Sequence, residues 1–222
     1  MTVHEDFPAD AYDIVVTLTD TPMAYNRRRI IGLATASFCL KSWWSQKLSG
    51  AAVARDNGGF DGILTTAHEL GHVFGLDHDP NFDDKCDDSN GFIMAARNAP
   101  GPKNLEWSPC SLKQLSNFLR LRFIDCYDQP ADVHPPGNPV QIPLPGDVWG
   151  PRKQCQARGY DEARDPNPDM CKLLRCCHTD WLRLLLIGRR CENTGPAAEG
   201  TLCAPGRKCV DGVCQCMTTD CI

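Results

Sequence analysis

The stretch "TTAHELGHVFGLDHD", residues 65–79, places three histidines and one glutamate within eleven positions. His68 and His72 have the i, i+4 spacing that puts two imidazoles on one helix face, where both can bind one zinc ion. Gly75 tolerates the left-handed backbone that ends a helix and turns the chain back, so His78 can supply a third nitrogen. Three protein ligands leave a fourth position for water, which is the arrangement of a catalytic zinc site.

Glu69 follows the first histidine and projects toward the ion without having to bind it. A carboxylate in that place can take a proton from zinc-activated water and return it to a leaving amine. The alternative is that the histidines are solvated or core residues of an amphipathic helix. A bare HExxH recurs by chance, but the five fixed identities of HExxHxxGxxH favour a zinc site with Glu69 as general base.

Strands and helices must position these side chains. Residues 12–20 predict a buried strand, and residues 30–38 and 49–56 predict a hairpin or a pair of sheet strands. After the turn-forming stretch "NGGFDG", the pattern predicts that the motif lies on a helix and the loop that follows it. Thr65 or Thr66 is the expected N-cap, and Gly75 the expected terminator.

A second helix is predicted over residues 111–123 from apolar residues at helical spacing. The members of this stripe are Leu112, Leu115, Leu119 and Phe123. Residues 127–147 hold six prolines and no strong periodicity, which is typical of an extended linker. Beyond the linker, cysteines and turn residues replace periodic apolar patterns, so disulfides are expected to hold that part together.

Composition narrows the class of protein. The chain has 222 residues and a formal net charge of −5, which argues against a nucleic-acid partner. Ten of its 14 cysteines fall between Cys155 and Cys221, a density typical of oxidising compartments, so the protein is expected to be secreted. No stretch reaches the length of a membrane span, and the first residues lack a signal-peptide pattern. An upstream part is therefore expected to be missing from this sequence.

The stretch "HELGHVFGLDHD" resembles the metzincin zinc metalloproteases, and Asp79 after the third histidine resembles their reprolysin (adamalysin) branch. "GFIMAA" is similar to the Met-turn of that branch, which implies that Met94 lies beneath the zinc site as structural support. "GLATASFC" and "GAAVARD" are similar to its edge strand and the adjacent strand. The resemblance implies an α/β (α+β) protease domain, incomplete at its N-terminus because only 67 residues precede His68.

The tail is similar to the disintegrin-like and cysteine-rich region of ADAMTS-type proteins and of arthropod salivary metalloproteases. The stretches that carry this likeness are "LPGDVWGPRKQC", "CKLLRC" and "EGTLCAPGRKCVDGVC". The implied organisation is a metalloprotease domain over 1–127, a proline-rich linker over 128–147 and a disulfide-rich module over 148–222. Disulfide pairings in the tail are left open, because the adjacent Cys176 and Cys177 do not match the ADAMTS-like spacing.

The same resemblance implies further sites. Asp13, the Cys126 carbonyl and Asp128 would contribute to a calcium site that lacks an upstream acidic ligand. Similarity in spacing implies the disulfides Cys86–Cys110 and Cys39–Cys126, although four cysteines allow three connectivities.

The function expected from these features is a secreted zinc endopeptidase acting on extracellular polypeptides such as matrix or plasma proteins. The resemblance implies that the substrate lies extended along the "GLATAS" strand. Two alternatives are a disintegrin-like binding module and an inactive truncated fragment. The absence of any RGD or KGD tripeptide speaks against integrin binding.

Overall fold

The computed structural model describes residues 14–35, 50–79, 84–97, 100–120, 143–179 and 190–217. The first part contains five strands and two helices. They are β1 (Ile14–Thr19), β2 (Met23–Tyr25), β3 (Arg28–Ile30), β4 (Gly32–Thr35), β5 (Gly50–Arg55), α1 (Gly62–Val73) and α2 (Pro109–Phe118). Two short 3-10 turns, Asp84–Cys86 and Asp88–Asn90, lie between the helices.

Three of these strands form the sheet that supports the motif, in the order β1-β5-β4. β1 runs parallel to β5, whereas β4 runs antiparallel to it, with Leu33 opposite Val53. α1 packs against β4 and β5. Ala52 and Ala54 on β5 are buried, and their small side chains suit a close approach of neighbouring elements. β4 is the terminal strand of this sheet as described and leaves one edge unpaired there.

The predicted burial of the first strand is wrong. Val16 and Leu18 are 38% and 59% exposed, so within the described residues their side chains are not covered by another layer. The predicted pairing of the next two strands is found in β4 and β5.

The predicted N-cap of the motif helix is also wrong. α1 begins at Gly62 after Asp61, which makes no side-chain capping bond, and the Thr65 hydroxyl donates to the Asp61 carbonyl from within the helix. The helix starts at the last residue of the "NGGFDG" stretch, about one turn earlier than the threonines suggested.

The second helix presents a different face from the one its apolar stripe predicted. Leu112 and Leu119 are each 53% exposed, whereas Cys110, Ser111 and Phe118 are buried. The Cys110 disulfide and hydrogen bonds of Ser111 turn that face inward. The helix starts at Pro109 with Ser108 as N-cap, two residues before the predicted start.

The rest of the described chain, residues 143–179 and 190–217, is called here the cysteine-rich region. It contains α3 (Pro145–Val148), α4 (Pro151–Ala157), β6 (Glu162–Ala163), β7 (Arg175–His178), β8 (Arg190–Asn193), β9 (Leu202–Ala204), β10 (Arg207–Val210) and β11 (Val213–Cys216). Two small antiparallel sheets, β6-β7-β8 and β9-β10-β11, organise it. α3 occupies positions for which an extended linker was expected, and the Gly146 amide donates to the Glu199 carbonyl.

Disulfides form much of the core of the cysteine-rich region. The described bonds there are Cys155–Cys176, Cys171–Cys209, Cys177–Cys191 and Cys203–Cys214. The adjacent Cys176 and Cys177 pair with different partners because successive side chains of β7 point to opposite faces. Met170 and Leu174 pack among the half-cystines, so a small apolar core and covalent cross-links stabilise this region together.

Candidate metal centre and catalytic site

α1 and the turn after it bring the three predicted histidines together. His68 and His72 lie on α1, and the helix ends at Val73. Gly75 has φ +73°, its amide donates to the His72 carbonyl, and the Leu76 amide donates to the Gly71 carbonyl. These two bonds form a Schellman motif, which needs a left-handed residue where Gly75 stands. The chain therefore reverses sharply, and His78 returns to the face that carries the first two histidines.

Backbone carbonyls fix the orientation of two histidine rings. Nδ1 of His68 lies 2.7 Å from the Ile93 carbonyl oxygen, and Nδ1 of His72 lies 2.7 Å from the Leu76 carbonyl oxygen. A carbonyl only accepts hydrogen bonds, so both Nδ1 atoms carry a hydrogen, and in this tautomer of imidazole Nε2 presents a lone pair. Partners of this kind orient histidines that bind metals.

The three Nε2 atoms converge on one point. Nε2 of His78 lies 3.2 Å from Nε2 of His68 and 3.2 Å from Nε2 of His72. Tetrahedral ligands at the usual Zn–N distance are about 3.3–3.4 Å apart, so the spacing suits zinc coordination. One shared proton satisfies only one of these contacts, whereas a cation satisfies all three lone pairs. The three residues can hold a metal ion.

Burial favours the neutral form of two of the three histidines by lowering their pKa values. It lowers the pKa of His68 to about 4, although the Ile93 carbonyl acts in the opposite direction. Burial also lowers the pKa of His78, and the proximity of His72 adds to this effect. Neutral imidazole is the form that binds metals, so the rings of His68 and His78 are ready to coordinate at neutral pH without first losing a proton.

Glu69 lies beside the histidine cluster and against the edge strand. Its side chain is 5% exposed, and burial raises the pKa of its carboxyl to about 7. Gly32 of β4 faces this carboxyl, and a Cβ at Gly32 would overlap Oε1. The sequence predicted a role for Glu69 but not for Gly32. The one signal for Gly32 in the sequence is a glycine in the predicted edge strand of a chain that also has the zinc motif.

Met94 lies directly under the motif helix. It is fully buried, and a Cβ at Gly71 would overlap its sulfur atom. Gly71 therefore provides the space in which the Met94 side chain packs against α1. The Met94 carbonyl accepts a hydrogen bond from the Asp79 amide, which ties this turn to the loop that carries His78.

Asp79 connects that loop to α2. It is fully buried, and its Oδ1 accepts hydrogen bonds from the hydroxyls of Ser108 (2.6 Å) and Ser111 (2.8 Å). Ser108 Oγ also accepts from the Ser111 amide as the helix N-cap. The sequence analysis named Asp79 but missed both serines. The stretch "SPCS" contained a usable signal, because serine before proline marks a helix start.

The centre opens into a cavity of about 820 Å³. β4 forms one wall with Gly32, Leu33 and Ala34, and the segment after Met94 contributes Ala95, Ala96 and Arg97. A cavity of this size, partly apolar and next to the histidines, suits a side chain of a bound ligand.

Of the remaining predicted site residues, some lie within the described residues of the chain and the others lie outside them. Cys86 and Cys110 form a disulfide, which encloses the segment that carries Met94. Asp13, Cys39, Cys126 and Asp128 lie outside the described residues, as does most of the predicted linker. The sulfur atoms of three further residues, Cys171, Cys203 and Cys214, also lie close together. They do not form a metal site, because each is half of a disulfide.

Comparison with known proteins adds a family. Residues 8–120 match the model for "Metallo-peptidase family M12B Reprolysin-like". The chain belongs to this family. The match contains the whole histidine motif, Met94 and Asp79, and the mixed helix and strand architecture with its disulfides fits the metzincin-like fold.

Individual members of the reprolysin-like family cover more of the chain. "A disintegrin and metalloproteinase with thrombospondin motifs like" of Bombyx mori is 30% identical over 93% of this chain and 30% of its own length. "A disintegrin and metalloproteinase with thrombospondin motifs 16" of Homo sapiens is 34% identical over 81% of this chain and 14% of its length. "A disintegrin and metalloproteinase with thrombospondin motifs 13" of Homo sapiens is 31% identical over 91% of this chain and 14% of its own length.

The chain thus spans less than a third of each of these ADAMTS-type relatives. The similarity extends through the cysteine-rich region, which the reprolysin-like model does not cover. Among the helices of the described ranges, none has the length and hydropathy needed to cross a membrane.

Proposed function

We propose that this reprolysin-like chain is a secreted zinc endopeptidase that hydrolyses peptide bonds of extracellular proteins. The observation that carries the proposal is the convergence of three Nε2 atoms, with two of the rings held by backbone carbonyls, beside the buried Glu69 carboxyl. Zinc is the metal that the donor set favours, because three neutral imidazoles at tetrahedral spacing leave one position open. His68, His72 and His78 would hold it.

When bound, zinc supplies Lewis acidity that lowers the pKa of water and polarises the scissile carbonyl. Glu69 takes the proton of the attacking water and passes it to the leaving amine. A carboxyl whose pKa is raised to about 7 suits both steps, since it accepts and releases a proton near neutral pH. Close contact with the Gly32 backbone restricts where this carboxyl can move.

The substrate is proposed to lie extended along β4 as an added strand. In the described sheet, the edge of β4 away from β5 is unpaired, and Gly32, Leu33 and Ala34 line the cavity. Main-chain hydrogen bonds along such an edge bind polypeptides with little regard to sequence, while a pocket selects one side chain. This arrangement favours polypeptides over small molecules.

Secretion is supported by the disulfides of both parts of the chain. The cysteine-rich region is proposed to be a disintegrin-like module, since the ADAMTS-type relatives align with it. The calcium site of Asp13, Cys126 and Asp128 stays a prediction, as do the boundaries 1–127, 128–147 and 148–222. Matrix and plasma proteins are the proposed substrates.

The test uses the full chain, purified with its disulfides oxidised. Bound zinc is measured by mass spectrometry, and hydrolysis is measured with a mixture of quenched fluorescent peptides. We expect about one zinc per chain, hydrolysis that a chelator stops, and a loss of at least about 1000-fold for Glu69→Gln with zinc retained. Glu162→Gln, on β6 of the cysteine-rich region, is the matched control and should keep full activity.

Two other outcomes have definite meanings. A chain that binds no zinc, or binds zinc and cleaves no peptide, is the inactive fragment. Cell adhesion through integrins without any hydrolysis would identify a binding module instead.

A further inference from the structure

One arginine of the cysteine-rich region reaches the turn that precedes the metal-binding helix. Arg158 follows α4, and its guanidinium donates hydrogen bonds to the Thr194 carbonyl (3.0 Å), the Thr194 hydroxyl (2.9 Å) and the Pro196 carbonyl (3.0 Å). These three bonds fix the planar group within its own region. The remaining donor, Nε, points toward the protease part of the chain and donates to the Gly59 carbonyl at 2.8 Å.

The turn that receives this bond, residues 57–61, leads directly into α1 at Gly62. A Cβ at Gly59 would come within 2.7 Å of Cγ of Arg158, so the aliphatic stem also packs on this backbone. Within the turn, the Gly59 amide donates to the Asn57 side chain, which in turn donates to Asp61. Arg158 thus contacts a turn whose own hydrogen bonds link Gly59 to Asp61, the residue before α1.

Phe60 shows that the turn is held in an unfavourable conformation. Its φ of +64° lies in the left-handed region, which is a genuine outlier for a bulky residue. Such a conformation persists only where the surroundings enforce it. The Arg158 bond acts on the residue immediately before Phe60, and the Phe60 ring packs edge-to-face on Trp149 with centroids 5.9 Å apart. Both contacts come from the cysteine-rich region.

The charge of Arg158 is balanced across the same contact. Burial lowers the pKa of the guanidinium, and the negative charge of Asp61, the residue before α1, opposes that effect. A charge placed in such a partly enclosed position is retained only when it is well paired. Four hydrogen bonds and a nearby carboxylate provide this pairing.

We propose that Arg158 is a positioning residue: it holds the 57–61 turn in its strained form and thereby sets the placement of α1, which carries His68, Glu69 and His72. Together with Trp149, it makes the geometry of the metal centre depend on the cysteine-rich region. The effect on catalysis rests on the proposed peptidase function, whereas the effect on the helix does not. Arg158 itself is not among the residues that line the cavity of the metal centre.

The experiment compares the full-length oxidised chain with Arg158→Met, which keeps the aliphatic stem, and with Arg158→Lys, which keeps the charge but not the planar fork. Arg152→Met is the matched control, because Arg152 is an exposed arginine on α4. Hydrogen–deuterium exchange is followed separately for peptides covering 57–66 and 150–179. Turnover of a fluorescent peptide is normalised to zinc-loaded chain.

We expect Arg158→Met to increase exchange about tenfold over 57–66 and to leave 150–179 protected. Turnover should fall at least about tenfold in kcat with KM within about threefold, because misplacement of the catalytic groups affects the chemical step. Arg158→Lys should lie between the wild type and Arg158→Met, and Arg152→Met should match the wild type.

Two outcomes would overturn the proposal. One is wild-type exchange and kcat in Arg158→Met. The other is an equal loss of protection in 150–179, which would make Arg158 a stabiliser of its own region only. If the wild-type chain cleaves no peptide, the peptidase proposal fails, yet the exchange at 57–66 still decides whether Arg158 positions the helix.

Discussion

The backbone of Gly32 lies against the carboxyl group of Glu69, with no room for even one methyl group between them. The strand proposed to bind the substrate, β4, thus contacts Glu69, the residue proposed to transfer protons during hydrolysis. A glycine is needed at position 32 for a reason of space, since its backbone is part of an ordinary strand.

Gly32→Ala is therefore expected to displace the Glu69 carboxyl and lower kcat for peptide hydrolysis by about 100-fold, since small misplacements are costly in catalysis. Zinc content should stay unchanged, because the histidines are anchored elsewhere. Steady-state kinetics and metal analysis measure both quantities. Gly150→Ala is the control, as a Cβ there meets no atom within 4 Å. Full activity of Gly32→Ala would show that the carboxyl has another productive position.

The serines that bind Asp79 should stabilise the loop that carries His78. Ser111→Ala removes one hydrogen bond to a buried carboxylate and should lower the free energy of unfolding by about 1.5–3 kcal/mol. Ser108→Ala removes another such bond and also the N-cap of α2, so its effect should be larger by about 1 kcal/mol. Thermal unfolding of the oxidised chain measures both. Equal effects would mean that the cap contributes nothing.

In the metal-free protein, titration of His68 should lower the stability as the pH falls from 6.5 to 4, and titration of Glu69, whose folded pKa is raised to about 7, should act in the opposite direction. The folded pKa of His68 is lowered to about 4, so between these values the unfolded chain binds the extra proton and the folded chain does not. The contribution of His68 to this balance is a loss on the order of 3 kcal/mol, complete below pH 4 and absent above pH 6.5.

Denaturant titrations of the metal-free chain across this pH range test the prediction. His68→Asn keeps a donor for the Ile93 carbonyl but cannot titrate, so its stability relative to the wild type should rise as the pH falls over this range. If the wild type and His68→Asn have parallel pH profiles, the acid sensitivity comes from other groups.

The Cys86–Cys110 disulfide spans 24 residues and encloses Met94 and the cavity wall after it. Replacing both cysteines with alanine should cost about 3 kcal/mol of stability through the entropy of the unfolded loop. Peptide KM should rise several-fold because the wall becomes less ordered. Removal of Cys203–Cys214, a shorter loop in the cysteine-rich region, should leave KM unchanged. A rise in KM in both variants would point to a general loss of folding.

The metal centre could be predicted from the sequence because nearly all of its determinants are local. His68, His72, Gly75 and His78 lie within eleven residues, and helix periodicity with one left-handed residue is enough to bring them together. The strand pair β4 and β5 was predictable for a similar reason, since each is a short apolar run next to turn-forming residues.

Features that depend on distant partners could not be predicted in this way. The apolar residues of β1 suggested burial, but burial depends on what covers a strand, and Leu18 is exposed within the described residues. The inward face of α2 is determined by Asp79, 32 positions before Ser111. The bond between Arg158 and Gly59 joins residues 99 positions apart, and neither has a local pattern that signals it.

The Schellman motif after α1 has a consequence for the evolution of the site. Between Gly71 and Leu76, backbone bonds to two successive carbonyls close the turn, and the Leu76 carbonyl in turn holds the His72 ring. Adding or deleting one residue would break all three bonds and move His78 away. Gly71 and Gly75 are fixed as well, since a Cβ would overlap Met94 at the first and would be strained by the positive φ at the second. The reprolysin-like centre therefore constrains both the length of this turn and the two glycines within it.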